Sequence, residues 1–307
     1  MSIPTSPIRT YLARLGGLCC VAILLLGSPT VHASDTLKKI RETKEITIGS
    51  EEEAPPFSDV NQDKKLVGYS IDLCKRVVDL LRKDLSLPTL KANYQTVTFE
   101  NRFAKLIDGS IDLECGSTTI TQARKAKVDF SFTFFVAGMK VLTSSPTIVK
   151  RSDMDGKKVA VVAGTTAEKL FGQLKSSELK SMRILSFPSG PDALKALQSG
   201  QVAAYADDDI LLQGLLSTAK DAHKLRFMED YLSVEPYGIM VRKGDKALLD
   251  AVDKTLHQLY QSGEIHQIYA RWFMTGTMNA PMMRLTRESI TRPTKEPASA
   301  LLLGYEM

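Results

Sequence analysis

Apolar residues along the first half of the chain fall into short runs and helical repeats that alternate with one another. The runs predict β-strands at residues 45–50, 90–97 and 111–115. Apolar residues at helical spacing after Gly68 predict a helix between the first two strands, and residues 100–107 predict a helix between the second and the third. The pattern therefore predicts a complete βαβαβ unit by residue 115.

The same order of elements recurs in the second half of the chain. Strands are predicted at 158–162, 183–187 and 202–206. Helices are predicted after Gly164, at 192–198 and at 210–216. Each unit is followed by a long extended segment, residues 128–145 and residues 234–244. After the second segment come only helices, at 247–260 and 264–273, and a tail rich in methionine and proline.

This organisation predicts an α/β fold with two lobes, each a mixed sheet flanked by helices. The late helices need a sheet to pack on, and the first unit is the natural host. One lobe would then hold residues 34–138 and 239–307, and the other residues 139–238. Two adjacent crossings between lobes form a hinge that allows closure on a ligand. The alternative is one doubly wound sheet without a cleft.

The first 33 residues have the pattern of a secretory signal peptide. Arg9 and Arg14 precede an apolar stretch at 15–26, and Val31-His32-Ala33 has the form of a cleavage site. The stretch is shorter than the ~20 residues that a membrane span needs, although an uncleaved anchor is the alternative. Cleavage removes two arginines and no acids from a formal net charge of +5, too small an imbalance to indicate a nucleic-acid partner.

The segment ECGSTTITQAR, residues 114–124, carries the first candidate chemistry. Its small hydroxyl residues and its arginine suit a ligand with a carboxylate and an ammonium, because burying either ion unpaired costs several kcal/mol. Arg124 offers a bidentate guanidinium for the carboxylate. Gly164-Thr165-Thr166 begins a predicted helix, where free N–H groups favour an anion. Asp207, Asp208 and Asp209 follow a predicted strand and offer acceptors for the ammonium.

Each of these features has an ordinary structural reading as well. Arg124 lies in a charged stretch and could be solvated, Thr165 and Thr166 could be helix caps, and the aspartates could cap the next helix. The prediction of a site rests on their joint position at the ends of strands in two lobes, where α/β sheets place ligands. The remaining cysteines, Cys74 and Cys115, either form a disulfide in an oxidising compartment or are small buried apolar residues.

The motifs IGSEEEAPPFSD, LVGYSIDLCKRV, ECGSTTITQAR, DGKKVAVVAGTTAEKL and LYQSGEIHQIYARWF resemble the family 3 solute-binding proteins of ABC transporters, which bind polar amino acids. ECGSTT is especially similar to the glutamate/aspartate-binding branch. The resemblance implies the two-lobed fold of periplasmic binding proteins. It also implies these ligand-binding residues: Glu51, Phe57, Arg102, Ser117, Thr119, Arg124, Thr165, Thr166 and Asp208.

Within the resemblance, Arg124 and Thr119 match the residues that hold the α-carboxylate. Ser117 and Asp208 match acceptors of the α-ammonium, and Thr165 and Thr166 add carboxylate contacts from the second lobe. Phe57 matches an apolar wall, and Arg102 matches an arginine that holds an acidic side chain.

Three departures from the glutamate/aspartate branch bear on specificity. Glu51 stands where that branch has arginine, Gly190 where it has histidine, and Phe99 where it has serine. Removing two cations and adding an acid disfavours a ligand γ-carboxylate, since like charges repel strongly in a desolvated site. A pair of Glu51 with Arg102 suits a neutral side chain such as that of glutamine. The sequence therefore favours glutamine-like or basic ligands over glutamate.

The resemblance implies a periplasmic monomer that delivers an amino acid to permease subunits in the inner membrane, with no cofactor, no metal and no catalytic residue. A cyclohexadienyl dehydratase on the same fold is the enzyme alternative, with Glu51 as an acid in the cleft. A free amino-acid sensor is the other alternative. No GxSxG motif indicates a hydrolase, and no Cys/His cluster indicates a metal site.

Overall fold

The computed structural model describes residues 36–276 and 278–296. The predicted signal peptide lies outside the described residues and stays a prediction. Within the described ranges, no helix combines the length and the apolar character that crossing a membrane requires.

The described residues form strands and helices in alternation. The strands are β1 (Glu45–Ser50), β2 (Glu53–Ala54), β3 (Ser58–Val60), β4 (Leu66–Val67), β5 (Lys91–Thr96), β6 (Leu113–Glu114), β7 (Val128–Phe130), β8 (Phe135–Thr143), β9 (Lys158–Val162), β10 (Arg183–Phe187), β11 (Ala204–Asp208), β12 (Arg226–Phe227), β13 (Ser233–Tyr237) and β14 (Met240–Arg242). The helices are α1 (Thr36–Thr43), α2 (Tyr69–Asp84), α3 (Arg102–Ile107), α4 (Gln122–Lys125), α5 (Thr166–Ser177), α6 (Gly190–Gln198), α7 (Asp209–Leu216), α8 (Lys246–Ser262), α9 (Glu264–Phe273) and α10 (Arg284–Thr291).

The first sheet has the strand order β5-β1-β6-β14-β7. Strand β1 runs parallel to both β5 and β6, and the late strand β14 runs antiparallel to its two neighbours. The parallel strands are joined by α2 and α3, as a βαβ connection requires. Helix α8 packs on α2 and on α1, and α9 packs on α2. The assignment of the late helices to the first lobe stays a prediction.

The second sheet has the order β10-β9-β11-β8-β12, and β13 also pairs with β8. Strands β10, β9 and β11 are parallel, whereas β8 runs antiparallel to β11, β12 and β13. The buried residues of β9 and β11 pack against α5 on one face and α6 on the other, which explains their nearly continuous apolar runs.

The chain passes between the two sheets twice. It leaves the first sheet after Phe130 and enters the second at Phe135, and it returns between Tyr237 and Met240. The prediction of a two-lobed α/β fold with two crossings is confirmed. The predicted lobe limits at residues 138 and 238 stay a prediction.

Aromatic side chains pack together beside the crossings. Phe57 contacts the rings of Tyr69, Phe135, Tyr237 and Phe273 at centroid distances of 5.0 to 6.1 Å. Phe135 and Tyr237 belong to the strands that adjoin the two crossings, so this aromatic cluster joins the crossing strands to α2 and α9.

Three local features differ from the sequence prediction. Strand β11 extends to Asp208 rather than ending at Ala206, because Asp207 and Asp208 continue the pairing with β8. The methionine- and proline-rich tail contains helix α10, whose Thr286 hydroxyl accepts a hydrogen bond from the Val136 amide of β8 at 3.0 Å. Strands β2, β3 and β4 form a small antiparallel sheet that the apolar pattern did not indicate.

Cys74 and Cys115 form a disulfide bond. The bond joins the buried face of α2 to the residue that follows β6, with Cα atoms 6.4 Å apart. Of the two possibilities left open by the sequence, the structure has the disulfide.

We expect the double substitution of Cys74 and Cys115 by alanine to lower the free energy of unfolding by about 2–4 kcal/mol, because the bond closes a long loop in the unfolded chain. Urea unfolding with and without reductant measures this. Reductant should destabilise the wild type by a similar amount and leave the alanine variant unchanged. Equal midpoints for all samples would contradict a stabilising disulfide.

Candidate functional site

A small cavity lies where loops from the two sheets meet. Its lining residues are Phe99, Arg102, Ser117, Thr119, Arg124, Thr165, Thr166, Asp207, Asp208 and Leu211. The cavity volume is about 10 Å³, room for about one water molecule. An amino acid can therefore enter only if the walls move apart.

The residues come together because strand ends meet at one edge of each sheet. Ser117 and Thr119 follow β6, Thr165 precedes α5, and Asp208 ends β11. Seven of the nine residues implied by the resemblance line the cavity: Arg102, Ser117, Thr119, Arg124, Thr165, Thr166 and Asp208.

Arg124 connects the two halves of the cavity. Thr121 caps the short helix α4 and so fixes the position of the Arg124 backbone. The guanidinium donates to the Thr119 carbonyl at 3.0 Å and, across the cleft, to the Gly164 carbonyl at 3.2 Å. Burial, together with the positive charge of Arg102, lowers the pKa of Arg124 to about 10, so the guanidinium remains charged at neutral pH.

The turn before α5 approaches the first sheet closely. Gly164 has a φ of +77°, and a Cβ there would meet the Phe99 carbonyl oxygen at 2.5 Å, so the turn requires glycine. Thr165 is the N-cap of α5 and accepts from the Glu168 amide. The Thr166 hydroxyl donates to Glu235 at 2.9 Å. Thr165 is therefore both a helix cap and a residue of the cavity lining.

Two adjacent aspartates face the cavity from the end of β11. Burial, opposed by hydrogen bonds from the Tyr205 hydroxyl and the Asp208 amide, raises the pKa of Asp207 to about 6. Burial and the charges of Glu235 and Asp207 raise the pKa of Asp208 well above its ordinary value, although the Tyr237 hydroxyl donates to it. With a pKa of about 6, the Asp207 carboxyl group is mostly ionised at neutral pH.

Glu51 does not line the cavity but lies behind Arg102. Its Oε1 atom is 3.1 Å from Nη1 of Arg102, and both side chains are almost fully buried. The Arg102 guanidinium also lies over the rings of Phe99 and Phe103, at 4.8 and 5.5 Å. The ion pair holds the arginine in place and balances its charge.

The cavity region concentrates unsatisfied polar atoms. Among the described residues, the buried side-chain atoms without a protein hydrogen-bond partner include Glu51 Oε2, Arg102 Nε, Glu114 Oε1 and Ser117 Oγ. Such atoms are rare in protein interiors, where a buried polar group is normally paired. Their grouping here is typical of a site that binds a polar ligand.

Phe57 is placed differently from the expectation of an apolar wall. Its side chain is fully buried in the aromatic cluster, and the residues that line the cavity do not include it. The packing of Phe57 against Phe135 of β8 and Tyr237 of β13 accounts for this position. Phe57 supports the crossing strands in this structure.

Several residues of the site were missed from the sequence. Leu211 lines the cavity, Glu235 accepts from the Thr166 hydroxyl beside it, and Glu114 is fully buried next to Glu51. The signal for Glu114 was available, since it is an acid at the end of an apolar strand. Within the part of the chain that the structure describes, no cluster of histidine, cysteine or acidic residues is arranged to hold a metal ion.

Comparison with known proteins identifies the family of this chain and several similar proteins. The family model of bacterial extracellular solute-binding proteins, family 3, matches residues 46–275. An L-glutamate/L-aspartate-binding protein of Pseudomonas aeruginosa is 36% identical, with 92% of this chain and 96% of that protein covered. A glutamate/aspartate import solute-binding protein of Escherichia coli is 35% identical, with 78% and 80% covered.

Among solved structures, an ancestral arginine-binding protein bound to arginine superimposes with a TM-score of 0.68 at 30% identity. The match covers 75% of this chain and 98% of that chain.

We expect Asp207→Asn to stabilise the fold at neutral pH. The pKa of Asp207 is raised from 3.8 to about 6 on folding, so its ionisation destabilises the folded state as pH rises through this interval. The gain in unfolding free energy should be about 1–3 kcal/mol at pH 7.5 and small near pH 4. Urea unfolding at both pH values measures it, with Asp63→Asn as the exposed control. A gain that is equal at both pH values would contradict this cause.

We expect Arg102→Met to lower the unfolding free energy by about 3–5 kcal/mol, because it leaves Glu51 buried without its counter-charge. Adding Glu51→Met should recover much of the loss, since the second substitution removes the uncompensated charge. Urea unfolding of both single variants and the double variant completes the cycle. Additive losses would show that the two residues are not coupled.

Proposed function

Because the chain belongs to the bacterial extracellular solute-binding proteins of family 3, we propose that it binds a free polar amino acid between its two lobes. The observation that carries the proposal is the cavity in which Arg124 and the pair Asp207–Asp208 face one ligand space from different sheets. An amino-acid zwitterion needs one receptor of each sign when it leaves water.

For the α-carboxylate, the receptor is the Arg124 guanidinium with Thr119 and the turn at Thr165 and Thr166. Arg124 already donates to a carbonyl of that turn, and a carboxylate is the stronger acceptor for the same N–H groups. The Thr165 end of α5 adds the favourable field of a helix N-terminus. The carboxylate would thus be held from both lobes, and closure would complete its contacts.

For the α-ammonium, the receptor is the pair of aspartates together with Ser117. The resemblance implied Asp208, and Asp207, with a pKa of about 6, adds an ionised carboxylate beside it at neutral pH. The buried Ser117 hydroxyl has no protein partner and can accept one ammonium hydrogen. Both aspartates line the cavity, which supports the pair as the acceptor rather than Asp208 alone.

In the cell, the chain would work as the periplasmic component of an ABC importer, exported by its N-terminal signal peptide. The support for this role is the family to which the chain belongs, together with the similar E. coli protein, which is named as an import solute-binding protein. A monomer that opens and closes about its two crossings would load the ligand and present it to permease subunits.

The enzyme alternative has less support than binding. The relatives are named as binding proteins, and Glu51, the acid proposed for catalysis, is held by Arg102 behind the cavity. Incubation with prephenate or arogenate tests the alternative, and product formation that depends on Glu51 would replace the binding function with catalysis.

We expect Arg124→Ala to weaken amino-acid binding at least about 100-fold, since two charge-assisted hydrogen bonds to the carboxylate contribute about 3 kcal/mol. Isothermal titration calorimetry with a panel of amino acids measures the loss, and circular dichroism verifies the fold. Lys127→Ala, an exposed neighbour, is the control and should keep wild-type affinity. Unchanged affinity of Arg124→Ala would remove the carboxylate assignment.

A further inference from the structure

Two buried acids end neighbouring strands at the Arg102 side of the cavity. Strands β1 and β6 are parallel, with Gly49 opposite Glu114. Glu51 follows the end of β1, and Glu114 is the last residue of β6. The register therefore brings both carboxyl groups to the same edge of the first sheet, and both side chains are buried.

The position of Gly116 shows how close the two groups are. A Cβ on Gly116 would overlap both Oε2 of Glu51 and Oε1 of Glu114, so these oxygens are neighbours. Neither oxygen receives a hydrogen bond from another protein group. Two ionised carboxylates cannot share a dry site at this distance, whereas one proton between them satisfies both oxygens.

We propose that Glu51 and Glu114 share one proton, and that this proton sets the charge beside Arg102 so that the site selects a neutral, amide-bearing side chain. The inference rests on the proposed function, because it concerns the side-chain end of the same ligand. Glu114 acts here as a positioning residue through Glu51 and Arg102.

The surroundings of Glu114 support a protonated carboxyl group. Burial, and next the charge of Glu51, raise the pKa of Glu114 well above its ordinary value. Arg102 and the Thr118 hydroxyl, which donates to Oε2 at 3.0 Å, oppose this shift without cancelling it. The other charged groups that face this cluster are Arg124, toward Glu114, and Asp207, toward Arg102.

The charge balance then decides which side chain is accepted. With one shared proton the acid pair carries a single negative charge, which Arg102 neutralises. The unpaired Nε–H of Arg102 can donate to an amide oxygen without disturbing this balance. A γ-carboxylate adds a second negative charge and must bring a proton with it. A cationic side chain is disfavoured because the Arg102 guanidinium repels it.

The test is calorimetric titration of the full chain with glutamine and glutamate between pH 5.5 and 8. The ratio of the two dissociation constants is the readout, because the zwitterion contacts, including Asp207, are common to both ligands. At pH 7.5 glutamine should bind at least about tenfold more tightly than glutamate. The preference should decrease by up to about tenfold per pH unit on acidification, the change expected for uptake of one proton.

Titration in buffers of different ionisation enthalpy counts the protons directly. Glutamate should take up about one proton more than glutamine on binding. Glu51→Gln combined with Glu114→Gln removes the shared proton and leaves Arg102 uncompensated, so this variant should prefer glutamate, with a ratio that no longer depends on pH. Glu114→Gln alone is the conservative variant, since its amide can donate to Glu51, and should restore the glutamine preference. Exposed Glu52→Gln is the matched control.

A wild-type preference for glutamate at pH 7.5, or a ratio independent of pH, overturns the inference. If the double variant does not fold, the wild-type ratio of the two dissociation constants and the wild-type proton count still test the inference. Amino-acid binding that depends on Arg124 but shows no proton difference rejects the shared proton alone. The absence of binding to any amino acid in the panel rejects the proposed function, and this inference with it.

Discussion

Charge that is buried between two sheets must be balanced, and this constraint organises the cleft. Arg102 is balanced by Glu51, and Arg124 donates to carbonyl groups on both sides of the cavity. The aspartates at the end of β11 receive hydrogen bonds from tyrosine hydroxyls. The free energy that these buried ions cost is offset by pairing, and a zwitterion that supplies the missing partners gains affinity from the same requirement.

The parts of the fold that were predictable are those set by local pattern. Strands β9 and β10 have the predicted limits, because β9 is a continuous apolar run after Lys158 and β10 has apolar residues at positions 184, 185 and 187. The end of β11 was not predictable, since Asp207 and Asp208 extend the strand only through pairing with β8. Helix α10 has only two large apolar residues, Leu285 and Ile290, and is held by a side-chain bond to the Val136 backbone.

The candidate site was predictable to the extent that it lies at strand ends. Thr119, Thr165 and Asp208 could be located from the order of elements, because parallel strands bring their ends to one edge. The contact of Glu114 with Glu51 and the position of Phe57 could not be placed in this way. The first depends on the register between β1 and β6, and the second on how the aromatic rings pack beside the crossings.

The bond from Arg124 to the Gly164 carbonyl has a consequence for energetics. It is an internal competitor: the protein's own backbone occupies the donor that a ligand carboxylate would use. Net affinity is then an exchange free energy, the difference between two acceptors for one guanidinium, and not the full strength of the new contact. Weakening the competitor by altering the turn would tighten binding without adding any contact to the ligand.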